Sequence, residues 1–156
     1  MSDLSRGSSH ATLSYTDGAA AGAADFALLV GRVLLGWLFL GAGWAKVTNI
    51  AGFVGYLTNL KVPNPGFWAW IAAPAEVLIG IALILGLATR YLSLFTFVYL
   101  IIATALAHRY WEYPAAAQQN QYNHFAKNLA VMGGALFLFV TGGGRFSLDR
   151  MLAKKG

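Results

Sequence analysis

The chain has 156 residues, of which 58% are hydrophobic and 11% charged, with no cysteine and a formal net charge of +5. A water-soluble domain carries about 25% charged residues, so this composition excludes an ordinary soluble domain. The absence of cysteine excludes disulfides, thiolate metal sites and dithiol chemistry by this chain, and 11 thinly spread Lys and Arg residues indicate no nucleic-acid partner.

Four apolar segments follow a small, polar stretch of 25 residues that predicts a flexible N-terminal tail. They are Phe26–Ala45, Phe67–Ala88, Tyr91–Ala107 and Phe125–Thr141, with lengths of 20, 22, 17 and 17 residues. A helix needs ~17–25 residues to cross a hydrocarbon layer of ~30 Å. We therefore expect an all-α integral membrane four-helix bundle over residues 26–149, followed by a basic C-terminal tail at 150–156.

The two longer connections carry different patterns. After the first span, apolar residues recur at helical spacing and predict a short amphipathic helix in the membrane interface. These residues are Ile50, Phe53, Val54, Leu57 and Leu60. Before the fourth span, residues Tyr110–Gln121 predict a loop with interfacial aromatic side chains at its edges.

The distribution of Lys and Arg predicts the orientation. With four spans, both termini and the short loop at Thr89–Arg90 share one side of the membrane. That side carries six Lys and Arg residues, and the opposite side carries four, counting Lys127 near the start of the fourth span. Because Lys and Arg are enriched on the cytoplasmic side, we predict that both termini are cytoplasmic.

Glu76 lies near the middle of the second span, two residues after Pro74. An ionisable group at this depth costs ~2.5–3.5 kcal/mol on insertion scales, so it needs a partner or a function. The structural interpretation is an ion pair with Lys46 or Lys127. The functional interpretation is a ligand or proton-relay site beside the helix turn that Pro74 interrupts. Both remain open, and Glu76 is the candidate catalytic residue.

Further polar residues gather where the first and third spans end. His124, Lys127 and Asn128 share one helix face at i, i+3 and i+4, and His108 ends the third span. These groups suit a polar head on an apolar tail, such as a quinone, whose carbonyls need hydrogen-bond donors and whose reduction needs protons. The predicted quinone-binding residues are Lys46, Glu76, His108, His124, Lys127 and Asn128. Simple snorkelling of the lysines and interfacial histidines is the structural alternative, and neither haem nor a metal is expected.

Arg32 lies toward the predicted cytoplasmic side of the first span. It shares a bundle-facing stripe with Gly36 and Gly43, and these glycines allow close helix contact. Asp149, after the fourth span, returns to the same side of the membrane. Arg32 and Asp149 are therefore candidates for a structural ion pair.

Short motifs occur in a fixed order along the chain: Gly31–Arg32, Gly43–Lys46, Ala51–Phe53, Glu76 with Gly80, Gly86–Arg90, Lys127–Leu129 and Gly144–Asp149. In this order the sequence resembles the DoxX family of small four-helix bacterial membrane proteins, over roughly Ala27 to Asp149. The resemblance implies a multi-pass protein of the bacterial inner (plasma) membrane. It also implies links to the membrane subunit of thiosulfate:quinone oxidoreductase and to complexes against redox stress, and so to other membrane or peripheral subunits. Without cysteine, sulfur chemistry through the chain's own thiols is excluded.

Three functions stay open at this level. The first is a quinone-interacting subunit of a membrane oxidoreductase, with activity of its own left undecided. The alternative is a non-enzymatic membrane anchor or assembly protein for a partner complex. A small-molecule or proton transporter is less favoured, because the four spans show no internal inverted repeat.

Overall fold

The computed structural model describes the backbone of residues 10–153 and the side chains of residues 22–153. Within that range the chain forms helices and no strands: α1 (His10–Thr48), α2 (Ile50–Asn59), α3 (Pro65–Leu85), α4 (Thr89–Ala107), α5 (Ala115–Thr141) and α6 (Leu148–Ala153), with a 3₁₀ turn at Tyr110–Glu112. Four segments are long and apolar enough to cross a membrane: Gly22–Thr48, Pro65–Leu85, Thr89–Glu112 and Ala115–Thr141. The predicted all-α fold with four spans is confirmed.

The four long helices pack as two close pairs, α1 with α3 and α4 with α5, and contacts of α3 with α4 and of α1 with α5 close the bundle. Glycines bring α1 and α3 together. A Cβ on Gly36 would lie 2.6 Å from the Gly80 carbonyl oxygen, and one on Gly80 would lie 2.6 Å from the Leu40 amide nitrogen. The two backbones therefore touch directly. The apolar core of the bundle consists of Phe39, Ile79, Leu83, Leu100, Val131 and Leu138.

Most large apolar side chains point outwards. Trp37, Trp70, Tyr91 and Phe137 are 71%, 66%, 83% and 75% exposed, and they lie on different helices. In water such a surface would drive aggregation. In lipid it has no such cost, because the surrounding tails are as apolar as the side chains.

The amphipathic helix predicted between the first two spans is α2. Its N-terminus is capped by the Asn49 side chain, which accepts a hydrogen bond from the Gly52 amide at 3.1 Å. The predicted apolar residues are half-buried and the residues between them are exposed. Helix α2 packs chiefly on α3, at the end of the bundle where α1 ends.

Two helices begin earlier than hydropathy indicated. Helix α1 begins at His10, so residues 10–25 are helical where we expected a flexible tail, and residues 1–9 lie outside the described range. Its 39 residues make it ~58 Å long, nearly twice the ~30 Å of hydrocarbon. The alanine-rich stretch at 19–24 favours helix, and hydropathy marks only the part of a helix that lies in lipid.

Helix α5 also extends beyond the predicted span. It begins at Ala115, so the expected loop Tyr110–Gln121 is a 3₁₀ turn, a short link and the polar first turns of α5. Pro114 precedes three alanines there, a sequence that starts helices readily. At the other end of the chain, α6 covers the first residues of the predicted C-terminal tail.

Candidate functional site

Glu76 lies where α3 meets α1 and α4. Lys46 of α1 donates a hydrogen bond to Glu76 Oε2 and forms an ion pair with it. The Tyr99 hydroxyl of α4 donates to Glu76 Oε1 at 2.5 Å. The Glu76 side chain is 7% exposed and that of Lys46 is 29% exposed. We call Lys46, Glu76 and Tyr99 the Glu76 cluster; both carboxylate oxygens have a donor, and the cluster opens at Lys46.

The close contact of α1 and α3 positions this ion pair. Gly43 lies one turn before Lys46, and a Cβ on it would lie 2.6 Å from the Val77 amide nitrogen. Helix α2 contacts the ion pair through Phe53, whose ring centre lies 5.3 Å from the Lys46 ammonium. A cation over an aromatic face is attracted to the negative charge of the ring.

His108 and His124 lie together at the end of the bundle where α4 ends, which we call the histidine end. The rings of His108 and His124 stack with centroids 5.0 Å apart and planes 18° apart. His108 Nδ1 lies 2.9 Å from the Gln121 side-chain oxygen. The charge of Lys127, which is exposed, acts on both rings, and that of Lys46 acts on His108. The Glu76 cluster reaches the same end of the bundle through Lys46, which lies near the end of α1 as His108 lies at the end of α4.

The histidine geometry does not suit a haem iron held between the rings. Imidazole nitrogens bind metals in the plane of the ring, and stacked rings direct those lone pairs sideways rather than toward each other. In the described part of the chain, no group of three or more His, Asp or Glu side chains could hold a metal ion.

Asn128 links two helices below the histidines. Its side-chain nitrogen donates to Thr104 Oγ1 at 2.9 Å, and both residues are 6% exposed. This bond ties α5 to α4 one turn from the stacked rings. On α2, partial desolvation raises the pKa of the exposed Tyr56, and the nearby phenol of Tyr113 raises it further, so α2 also approaches the link between α4 and α5.

The six predicted site residues thus fall into separate contacts. Lys46 joins Glu76, the histidines join each other, Asn128 joins Thr104, and Lys127 acts through its charge. Tyr99 and Gln121 were not predicted as site residues from the sequence. A phenol in the middle of an uncharged span was a usable signal for Tyr99, since a buried tyrosine hydroxyl needs a hydrogen-bond partner. Gln121 had no such signal, because it was placed in a loop.

At the opposite end of the bundle, which we call the Arg32 end, Arg32 is fully buried. It donates to the carbonyl oxygens of Leu83 at 3.3 Å and Ile84 at 3.2 Å, and to that of Phe146 at 2.8 Å. The first two belong to the last turn of α3, where the regular i→i+4 backbone bonds end; the Leu83 carbonyl also accepts from the Gly86 amide at 3.2 Å. A cation there also complements the helix dipole.

Asp149 binds backbone groups on the other side of the same turn. Its carboxylate accepts from the amides of Ala88 at 2.6 Å and Thr89 at 2.8 Å, and so caps the N-terminus of α4. The candidate ion pair of Arg32 with Asp149 is therefore not a direct contact among the described residues. Within the described range, the tight α3–α4 turn leaves the Ile84 carbonyl and the amides of Ala88 and Thr89 without backbone partners; Arg32 binds the carbonyl and Asp149 binds the amides. Gly86 makes room, since a Cβ on it would lie 2.0 Å from Arg32 Nη1.

Comparison with known proteins adds a family and two relatives. The DoxX family model matches residues 27–109. The Escherichia coli K12 protein named Inner membrane protein YqjF is 37% identical over 131 residues, which cover 84% of this chain and 95% of the relative. Inner membrane protein YphA of the same organism is 34% identical over 139 residues, covering 89% and 98%. No solved structure is significantly similar to this chain.

Proposed function

The chain belongs to the DoxX family, as its ordered motifs predicted, and we propose that it is a quinone-interacting subunit of a redox complex in the bacterial inner membrane. The inner membrane is proposed because both relatives carry that location in their names. The observation that supports a quinone is the Glu76 cluster. Its carboxylate lies near the middle of the membrane-spanning helix α3 and contacts an ammonium of α1 and a phenol of α4.

The cluster fits the needs of a quinone head group. Quinone carbonyls accept hydrogen bonds, and Lys46 and Tyr99 are both donors. Lys46 is the more exposed partner, so it can turn from Glu76 toward a carbonyl oxygen without entering a closed core. Reduction also consumes protons, and a positioned carboxyl or phenol transfers them. The electrons come from a partner subunit.

The histidine end supports proton exchange with the membrane surface. Histidine titrates closest to neutral pH, so a stacked pair beside the cluster is a suitable entry point for protons. His108 and His124 are both half-buried, which leaves part of each ring accessible. In this proposal they bind no metal and act only through protons and hydrogen bonds.

A quinone titration tests the assignment. Purified protein is titrated with a water-soluble short-chain quinone, and tryptophan quenching reports binding. Glu76→Gln keeps the shape and a hydrogen bond but cannot ionise, and we expect it to weaken binding at least about tenfold, which corresponds to ~1.4 kcal/mol.

The matched control is Glu112→Gln. Glu112 also forms an ion pair, with Arg109 at 2.9 Å, but both side chains are exposed and lie outside the cluster. We expect this variant to bind like the wild type. Wild-type affinity in Glu76→Gln would show that the quinone site is assigned wrongly.

A second candidate function, a membrane anchor for a partner complex, is favoured by the outer face of α1. Trp37, Leu40, Gly41 and Trp44 line an apolar depression of about 390 Å³, and a Cβ on Gly41 would have no atom within 4 Å. A small residue between two large ones admits a side chain of a neighbouring helix. Under this function, Gly41→Leu removes a co-purifying partner in mild detergent while Glu76→Gln retains it.

A further inference from the structure

Three hydroxyls on the buried face of α4 lack partners. Thr89, Ser93 and Thr96 are 0%, 0% and 1% exposed. None of their Oγ atoms has a hydrogen-bond partner within the described part of the chain. A buried hydroxyl without a partner is costly, because it has given up its hydrogen bonds to water. Three on one helix face therefore need an explanation.

Exposed threonines of the same chain behave differently. The hydroxyls of Thr48, Thr58 and Thr141 each donate to the carbonyl oxygen one turn earlier at 2.8 Å. That local bond is the usual solution for a hydroxyl in a membrane helix. Ser93 and Thr96 have the same option on α4 and do not use it, so their hydroxyls face the interior of the bundle.

The spacing of these hydroxyls suits single bridging waters. Residues Thr89, Ser93 and Thr96 lie at i, i+4 and i+7, and neighbours at such spacing are about 5–6 Å apart. Two hydrogen bonds of about 2.8 Å through one water span that distance. A water needs two to four polar partners, and each gap on this face has a hydroxyl on either side.

The row of hydroxyls formed by Thr89, Ser93 and Thr96 has polar groups near both of its ends. Thr89 lines an open depression of about 760 Å³ at the Arg32 end, together with Gly143 and Ser147. Arg32 Nε, also buried and without a partner in the described chain, is a further donor at this end. At the inner end, Tyr99 follows Thr96 by one turn and donates to Glu76. Beyond it Leu100, 5% exposed, closes the face with the apolar core.

We propose that ordered waters on this face form, with Ser93 and Thr96, a hydrogen-bonded chain that carries protons from the Arg32 end to Glu76. A proton enters at a water beside Thr89, and each water or hydroxyl accepts one proton and releases another. Tyr99 passes a proton to Glu76 as it receives one, so the carboxylate becomes a carboxylic acid and no electron moves. Lys46 of α1 faces that carboxylate and loses its ion partner when the proton arrives. The route stands on the hydroxyls alone and requires no quinone; under the proposed function it supplies protons from the Arg32 end, in addition to those that enter at the histidine end.

The stability of hydroxyl-deletion variants distinguishes bridged hydroxyls from unsatisfied ones. Thr96→Val keeps the side-chain shape. If the hydroxyl holds a water, Tm falls by about 2–4 °C; if it is merely unpaired, Tm rises. We expect Ser93→Ala to lower Tm in the same way. The Tm loss of the double variant should be smaller than the sum of the two single losses, because the two hydroxyls share one chain of hydrogen bonds. A rise, no change or additive losses would overturn the proposal. Thr141→Val, whose hydroxyl is already bonded to Phe137, is the control.

Hydrogen–deuterium exchange of the Tyr99 hydroxyl tests the proton route. The exchange is followed by infrared spectroscopy after mixing the purified protein with D₂O, and Tyr99→Phe assigns the band. We expect Thr96→Val to slow the exchange at least tenfold and Thr141→Val to leave it unchanged. Exchange at the wild-type rate in Thr96→Val would overturn the route. No quinone is present, so this outcome is separate from the success or failure of quinone binding.

Discussion

Gly43 packs against Glu76 so closely that a Cβ on residue 43 would lie 2.9 Å from the Cβ of Glu76. One turn later on α1, Lys46 meets the Glu76 carboxylate. The ion pair therefore depends on the contact of two helix backbones as much as on charge. A change that separates α1 from α3 should weaken the ion pair without removing either charge.

Gly43→Ala adds one methyl group that pushes α1 away from α3. The new Cβ would lie 2.6 Å from the Val77 amide nitrogen, which belongs to a helix backbone and cannot move alone. We expect a loss of stability of about 1–3 kcal/mol, as for other overpacked sites, measured as a lower Tm in detergent.

Gly41→Ala is the matched control for that variant. Gly41 lies on the same helix, and a Cβ on it meets nothing within 4 Å. Alanine favours helix over glycine by about 1 kcal/mol. Gly41→Ala should therefore keep or raise Tm, and equal losses in both variants would show that helix contact at Gly43 is not special.

The sequence predicted the fold and the need for partners, but not the partners themselves. Apolar length gave the four spans, and the charge of Glu76 within one of them required a counter-charge. Lys46 rather than Lys127 is the partner of Glu76 because α1 and α3 are in close contact. Hydropathy alone does not predict which helices pack together. Tyr99 was missed because its span carries no charge.

The same limit explains the Arg32 end. Burial of Arg32 was predictable from its position in a span, and an acidic partner was the natural expectation. The structure instead uses backbone carbonyls, because in the described part of the chain the α3–α4 turn leaves the Ile84 carbonyl without a backbone partner and the Leu83 carbonyl with only the Gly86 amide. Which backbone groups a tight turn leaves unpaired follows from its conformation, and Gly86 sets that conformation with φ +67°.

Arg32→Lys should therefore destabilise the protein although it keeps the charge. One ammonium cannot replace a planar guanidinium that reaches three carbonyl oxygens on two segments. Since one hydrogen bond to a charged group contributes about 1.5–3 kcal/mol, we expect a loss of at least that size. Arg150→Lys, at an exposed position on α6, is the control and should leave Tm unchanged.

The orientation stays a prediction from the Lys and Arg distribution. Alkaline phosphatase, active only outside the cytoplasm, should be inactive when fused after Gly156 and active when inserted at Asn64, in the turn before α3. A fluorescent protein that folds only in the cytoplasm should give the reverse pattern at both sites. Phosphatase activity of the fusion after Gly156, without activity of the insertion at Asn64, would show that the orientation is the opposite of the predicted one.

The unequal exposure of Lys46 and Glu76 predicts an asymmetric cost of breaking their ion pair. Lys46→Met leaves a carboxylate that is 7% exposed without its counter-charge, and stranding a buried charge costs about 3–5 kcal/mol. Glu76→Gln leaves an ammonium that is 29% exposed, lies against the Phe53 ring and can turn toward water, so it should cost less. The double variant Lys46→Met/Glu76→Gln should be more stable than Lys46→Met alone, because no charge remains buried. Tm values of the three variants and the wild type in one detergent measure this cycle. If Lys46→Met and Glu76→Gln cost the same, the difference in exposure has no energetic consequence, and the cluster does not open at Lys46.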